Sequence, residues 1–157
     1  MNKNFTPEDI QKKHETNIKS ATSGFVLAGV LGIIYIVRFF ITKNFDFYFS
    51  LTFTELILRL ADYGSLPCVL SYALVAVYVI AYLIIAVLAA KSIKRLTAAL
   101  GLYLFDCLCF IPLFIFHGGI KPEFFIDVIV HLFVVIFLIV GIKSTKKAHR
   151  NDEAENE

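Results

Sequence analysis

The 157-residue chain has no tryptophan, one methionine and four prolines, and only 18% of its residues are charged. Soluble domains carry about 25% charged residues, so the polar surface that a water-soluble fold needs is in short supply. A net charge of +2 is too small for a nucleic-acid-binding face. The three cysteines, Cys68, Cys107 and Cys109, have no Cys-x-x-Cys spacing, which excludes a thiol oxidoreductase of the quinone-reducing kind. Cys107 and Cys109 point to different faces of a helix, so both are expected as packing thiols. No Ser–His–Asp set, HExxH, Gly-rich phosphate loop or Walker pattern occurs. Enzymatic activity has no positive support, and no catalytic residue, cofactor or metal is expected.

What the chain has in excess is apolar sequence, 58% against about 45–50% in soluble domains. It is gathered into four runs, Ala21 to Thr42, Pro67 to Ala90, Leu96 to Phe116 and Phe124 to Ile142. Each matches the roughly 20 residues needed to cross about 30 Å of hydrocarbon as a helix. The expected fold class is an all-α membrane protein of four transmembrane helices, with the lipid bilayer as its first partner. The first run is longer than the 7–15 residues of a signal h-region and no small-x-small site follows it, so the first helix is expected to stay as an anchor. With tryptophan absent, an aromatic belt would come from the seven Tyr and sixteen Phe.

Positive charge is distributed unevenly. Lys3, Lys12, Lys13 and Lys19 precede the first run, Lys91, Lys94 and Arg95 fill the second connection, and Lys143, Lys146, Lys147 and Arg150 follow the fourth. These are eleven of the fifteen Lys and Arg, all on one side if four helices cross. The positive-inside rule then puts both termini in the cytoplasm. Three parts follow: a cytoplasmic N-terminal segment (1–20), the transmembrane domain (21–142) and a basic-then-acidic cytoplasmic tail (143–157). A short helix is expected over Thr6 to Asn17, from its Thr-Pro-Glu-Asp start. The acidic Asn151 to Glu157 reads as disordered.

Between the first two runs, Phe45, Phe47, Tyr48 and Phe49 form an aromatic cluster suited to a headgroup region. Thr52-Phe-Thr-Glu55 fits a capping box, and Gly64 is a natural stop. Thr52 to Tyr63 is therefore expected as a short amphipathic helix in the outer interface. Phe53, Leu56, Ile57 and Leu60 share one face of it, and Glu55 and Arg59 pair on the other.

Polar groups at membrane depth are few. Arg38 lies one turn from the outer end of the first helix, Asp106 near the middle of the third, and Asp127 and His131 one turn apart on the fourth. Similar depths make Arg38 and Asp127 a natural ion pair, and His131 a natural neighbour of Asp106. Tyr103, one turn below Asp106, would donate a hydrogen bond to it. Ser71, Tyr78 and Tyr82 line one stripe of the second helix and would complete a polar seam. Pro112 frees a backbone carbonyl nearby. Such a network either fixes helix order and register or serves as a proton relay, cation site or ligand anchor. A histidine flanked by carboxylates is suited to titration near neutral pH. A lone intramembrane histidine cannot supply two axial haem ligands, and no ligand spacing demands a metal.

Ser20, Gly24, Ala28 and Gly32 put a small residue at every fourth position of the first helix, a stripe that lets another helix approach closely. It serves either the chain's own bundle, a homo-oligomer, or the helix of a membrane-protein partner. The absence of a repeat argues against an inverted-repeat transporter.

The stretch Lys94-Arg95, Leu102-Tyr103-x-x-Asp106, Asp127-x-x-x-His131 and Gly141 with basic residues after it resembles the C-terminal half of short bacterial four-helix integral membrane proteins. The resemblance covers about a third of the chain. It implies the four-helix architecture and a bacterial inner membrane, and no activity. The chain does not resemble the small multidrug transporters, whose first helix carries a membrane-embedded Glu. The expected role is that of a non-enzymatic accessory, immunity or scaffold component acting through helix contacts. The alternative is a small proton- or cation-coupled transporter or channel using Asp106, Asp127 and His131.

Overall fold

A computed structural model describes residues 7–43, 45, 51–116 and 122–155. Six helical segments occur among the described residues: α1 (Pro7–Thr42), α2 (Thr52–Asp62), α3 (Cys68–Ala89), α4 (Ile93–Leu108), α5 (Phe110–Phe116) and α6 (Pro122–Glu155). No strand occurs among the described residues. Four stretches are long and apolar enough to cross a membrane: 10–42, 68–89, 93–115 and 125–147. Their outward faces are large and apolar, with Val69 82%, Ile115 76% and Val87 70% exposed. Only a hydrocarbon solvent accepts such surface without a transfer cost.

The third span bends where proline dictates. Pro112 has no N–H for the carbonyl of Leu108 and its ring crowds that carbonyl, so α4 ends at Leu108 and α5 restarts at Phe110. The Cys109 thiol donates to the carbonyl of Phe105 at 3.4 Å, and the Cys109 N–H bonds three residues back to Asp106 O. All three cysteines are free.

The helices pack as α1 on α6 and α3, and α4 on α3 and α6. At one end of the bundle, Asn17 Nδ2 donates to Ser144 Oγ at 2.8 Å, and Gly141 lies against Ala21 and Leu96. A methyl added at Gly141 would stand 2.7 Å from Ala21 Cβ, so glycine permits this approach of α1 and α6. Both ends of the chain leave the bundle here. The expected short helix over Thr6 to Asn17 is, from Pro7 on, the first turns of a 36-residue α1 with no break at residue 20. Thr6 lies outside the described residues. The acidic tail, expected to be disordered, continues α6 as helix to Glu155. Both segments continue as helix beyond the apolar stretches, because each turn added to an existing helix costs no new nucleus.

Two apolar clusters fill the interior. Phe25, Tyr82, Leu96, Ala99, Tyr103 and Leu138 meet in one. Tyr35 and Phe39 of α1 meet Ile57 and Leu58 of α2 and Val75 of α3 in the other. Tyr82 stacks on Phe25 at 4.2 Å and its hydroxyl donates to the Phe25 carbonyl at 2.8 Å. Gly29 makes room for that ring, since a methyl there would stand 2.8 Å from it.

The short helix between the first two spans is present, but its N-terminal turn is inserted into the bundle. Thr52, Thr54, Glu55, Ile57 and Leu58 are buried. Its polar side is enclosed too: Arg59 Nε and a terminal guanidinium nitrogen each lie 2.8 Å from Glu55 Oε1, and the guanidinium covers the Phe45 ring at 4.3 Å. The charges are tolerated because each meets its partner. Of the aromatic cluster expected before α2, Phe45 packs on Phe39 at 4.8 Å, and Phe47, Tyr48 and Phe49 lie outside the described residues. Gly64 ends the helix with φ +72°, and the N–H groups of Ser65 and Leu66 close on the Leu60 carbonyl.

Candidate functional site

A helix inserted into an apolar bundle brings unpaired N–H groups with it, because its first four amides have no partner inside the helix. In α2 the Thr54 N–H turns back three residues to Leu51 O at 2.9 Å, and the first regular helical bond, from Glu55 N–H, meets the same oxygen at 3.2 Å. The N–H groups of Thr52 and Phe53, which have no such bond, meet one carboxylate. Asp106, fully buried near the middle of the third span, accepts from Thr52 N–H through Oδ2 at 3.0 Å and from Phe53 N–H through Oδ1 at 2.9 Å. An anion at a helix N-terminus also opposes the positive end of the helix dipole. Asp106 is thus the N-cap of α2, supplied from another helix.

This replaces the capping box. Leu51 occupies the N-cap position and makes no side-chain cap hydrogen bond. Thr54 Oγ1 donates to Leu51 O at 2.6 Å, and Thr52 Oγ1 lies 3.3 Å from His131 Nε2. A capping box would put the Thr52 hydroxyl on the Glu55 N–H and the Glu55 carboxylate on the Thr52 N–H; here Asp106 takes the Thr52 N–H and Glu55 is paired with Arg59.

Two further groups complete the shell around Asp106. The Tyr78 hydroxyl donates to Oδ1 at 2.9 Å, and His131 Nε2 lies 3.2 Å from Oδ2. On its other edge, His131 Nδ1 lies 2.9 Å from the Asp127 backbone oxygen and 3.3 Å from Asp127 Oδ1. The ring stacks on Tyr103 at 5.2 Å and meets the edge of Phe110 at 4.8 Å, which fixes its plane. Both nitrogens face acceptors, and only a doubly protonated ring donates from both. Asp127 Oδ1 is at ion-pair distance from His131 but makes no hydrogen bond, because Nδ1 is aimed at the carbonyl beside it.

Of the five residues expected to form the network, Asp106, Asp127 and His131 are joined as the depths suggested. Tyr103 touches the network only through its ring. Its buried hydroxyl has no hydrogen-bond partner, since a helical side chain leans toward the helix N-terminus and carries the hydroxyl away from Asp106. Tyr78, from the facing helix, takes that place. The Arg38–Asp127 pair does not form among the described ion pairs, where Asp127 is matched with His131. The reason is α2: Tyr35 and Phe39, flanking Arg38 on α1, are buried against α2 and α3, which turns this end of α1 toward them. Arg38 itself is half-buried.

The seam on α3 is divided. Ser71 bonds only to Pro67 O of its own helix at 3.2 Å, Tyr78 to Asp106, and Tyr82 to α1. The small stripe of α1 is divided as well. Ser20 is exposed, a methyl added at Gly24 would stand an ordinary 3.8 Å from Phe137 of α6, and Ala28 packs on the cluster of Phe25 and Tyr82. Gly32 lies under Leu51, where an added methyl would stand 2.6 Å from Leu51 Cγ. Its smallness seats the N-cap residue of α2. No metal-ligating group of three or more His, Cys, Asp or Glu occurs among the described residues.

The backbone amides of Thr52 and Phe53 were the part of the site that sequence reasoning missed. The available signal was an intramembrane carboxylate with no Lys or Arg at its depth, an acceptor that buried backbone N–H groups can use. Comparison with protein-family models, with curated proteins and with solved structures gives no match to this chain.

Proposed function

We propose that this is a non-enzymatic polytopic protein of a bacterial inner membrane, acting as an accessory, immunity or scaffold component through its lipid-embedded helix surfaces. Both termini lie in the cytoplasm, on the side of the eleven clustered cations. The Asp106 cluster works as an internal clamp that holds α2 inside the bundle. One observation carries this: both oxygens of Asp106 are occupied by groups of the chain itself, two α2 amides, the Tyr78 hydroxyl and His131. A carboxylate so occupied has little acceptor capacity left for a passing ion. Toward the end where the chain termini emerge, the interior around Phe25, Leu96, Ala99 and Leu138 is apolar, which opposes a conduit through one chain.

A second function, proton or cation transport, is favoured by the imidazole held between two carboxylates and by the Asp127 oxygen without a hydrogen bond. Reconstituted vesicles under a pH gradient separate the two. For the clamp, His131→Gln lowers the melting temperature and leaves proton flux at the level of empty vesicles, as in the unsubstituted protein. Flux above that level which His131→Gln removes, with melting unchanged, would establish transport instead. Reporter fusions at the two termini test the orientation, and opposite signals from the two ends would overturn it.

A further inference from the structure

The end of the bundle from which the chain termini emerge is fixed at one level by Asn17 against Ser144 and by Gly141 against Ala21 and Leu96. Cations stand within about a turn of that level on three helices and one connection. Lys19 comes from α1, Lys91 from the α3–α4 connection, Lys94 and Arg95 from the first turn of α4, and Lys143 and Lys146 from α6, all exposed. None of the six lies within ion-pair distance of a carboxylate among the described residues. Because α4 packs directly on α6, Lys94 and Arg95 flank the same helix–helix seam as Lys143 and Lys146. Immediately beyond them the outward surface becomes apolar, with Ile136, Ile139, Val140 and Leu104 exposed. The cations therefore stand at the rim of the lipid-facing belt, the level of the phosphates of one leaflet.

We propose that the seam between the start of α4 and the Lys143–Lys146 turn of α6 is a binding site for the headgroup phosphates of anionic phospholipids. Charge complementarity selects this occupant. Unpaired Lys and Arg at the edge of an apolar surface attract a phosphodiester whose acyl chains the adjoining surface accepts, and basic pockets between transmembrane helices hold such headgroups. Arg95 offers a forked donor for two phosphate oxygens, while the lysines act as point charges. The site does not depend on the clamp or on which side of the membrane the termini occupy.

The test uses the full chain in phosphatidylcholine bilayers, with trace spin-labelled phosphatidylglycerol or phosphatidylcholine reporting the fraction of each lipid held at the protein. One cation near an anionic group changes partitioning by about fivefold, so the unsubstituted protein is expected to favour phosphatidylglycerol by about that factor or more. The preference should fall to near unity in K94Q/R95Q/K143Q/K146Q and persist in K12Q/K13Q, about two turns away. About 0.5 M salt, where the Debye length is about 4 Å, should remove it in the unsubstituted protein, a readout that needs no variant. Equal association of the two lipids, a preference that survives both salt and the four substitutions, or displacement of the labelled lipid by millimolar inorganic phosphate at constant ionic strength would overturn the proposal.

Discussion

Replacing Asp106 by Asn keeps size and shape at the centre of the clamp while changing one oxygen into a donor. Oδ1 now serves Phe53 N–H and the Tyr78 hydroxyl, and Oδ2 serves Thr52 N–H. Whichever way the amide turns, its NH2 meets one of the two backbone N–H groups. One buried donor left without an acceptor costs about 1–3 kcal/mol, and loss of an anion at a helix N-terminus costs about 0.3–2 kcal/mol. The expected loss is about 2–4 kcal/mol, or roughly 5–15 °C in melting temperature for a chain of this size. Circular dichroism on detergent-solubilised protein measures the melting. Hydrogen exchange of the Thr52 and Phe53 amides measures whether α2 has come loose. These amides should exchange faster in the variant by a larger factor than those of α3. An unchanged melting temperature, with Thr52 and Phe53 still protected, would refute the cross-helix cap.

Two tyrosines provide a matched comparison. Tyr78→Phe removes a donor to Asp106 and should cost about 0.6–1.7 kcal/mol, the range found for interhelical hydrogen bonds in membranes. Tyr103→Phe removes a hydroxyl without a partner and should be neutral or slightly stabilising; thermal unfolding of the two variants side by side checks the order. Gly141→Ala forces a methyl to within 2.7 Å of Ala21 Cβ and should cost about 1–3 kcal/mol. Ala21→Gly in the same chain should restore much of that loss, read by the same melts. Gly32→Ala presses on Leu51 and should speed exchange at the first turn of α2 while leaving the Tyr82–Phe25 contact in place, which near-ultraviolet circular dichroism follows.

The positions of the spans were legible because length and hydropathy are local properties. Twenty apolar residues commit a segment to lipid whatever its neighbours are. The place of Asp106 beside His131 was legible for a similar reason, since depth along a helix follows from the rise per residue. The partners of each polar group were not. Depth alone matches Arg38 with Asp127, and it does not foresee that α2 takes the space beside Tyr35 and Phe39. Tyr103 and Tyr78 are equivalent candidates for Asp106 until the rotation of α3 against α4 is known. Thr52 to Glu55 satisfies the local capping pattern so well that a cap from another helix is invisible.

Composition alone therefore determined that lipid is the solvent of this chain, that four helices cross it, and that a carboxylate and an imidazole lie deep among them. Only the tertiary structure decided that α2 turns inward. A backbone N–H in an apolar interior must find an acceptor, and which acceptor it finds depends on helices that are more than fifty residues apart in sequence.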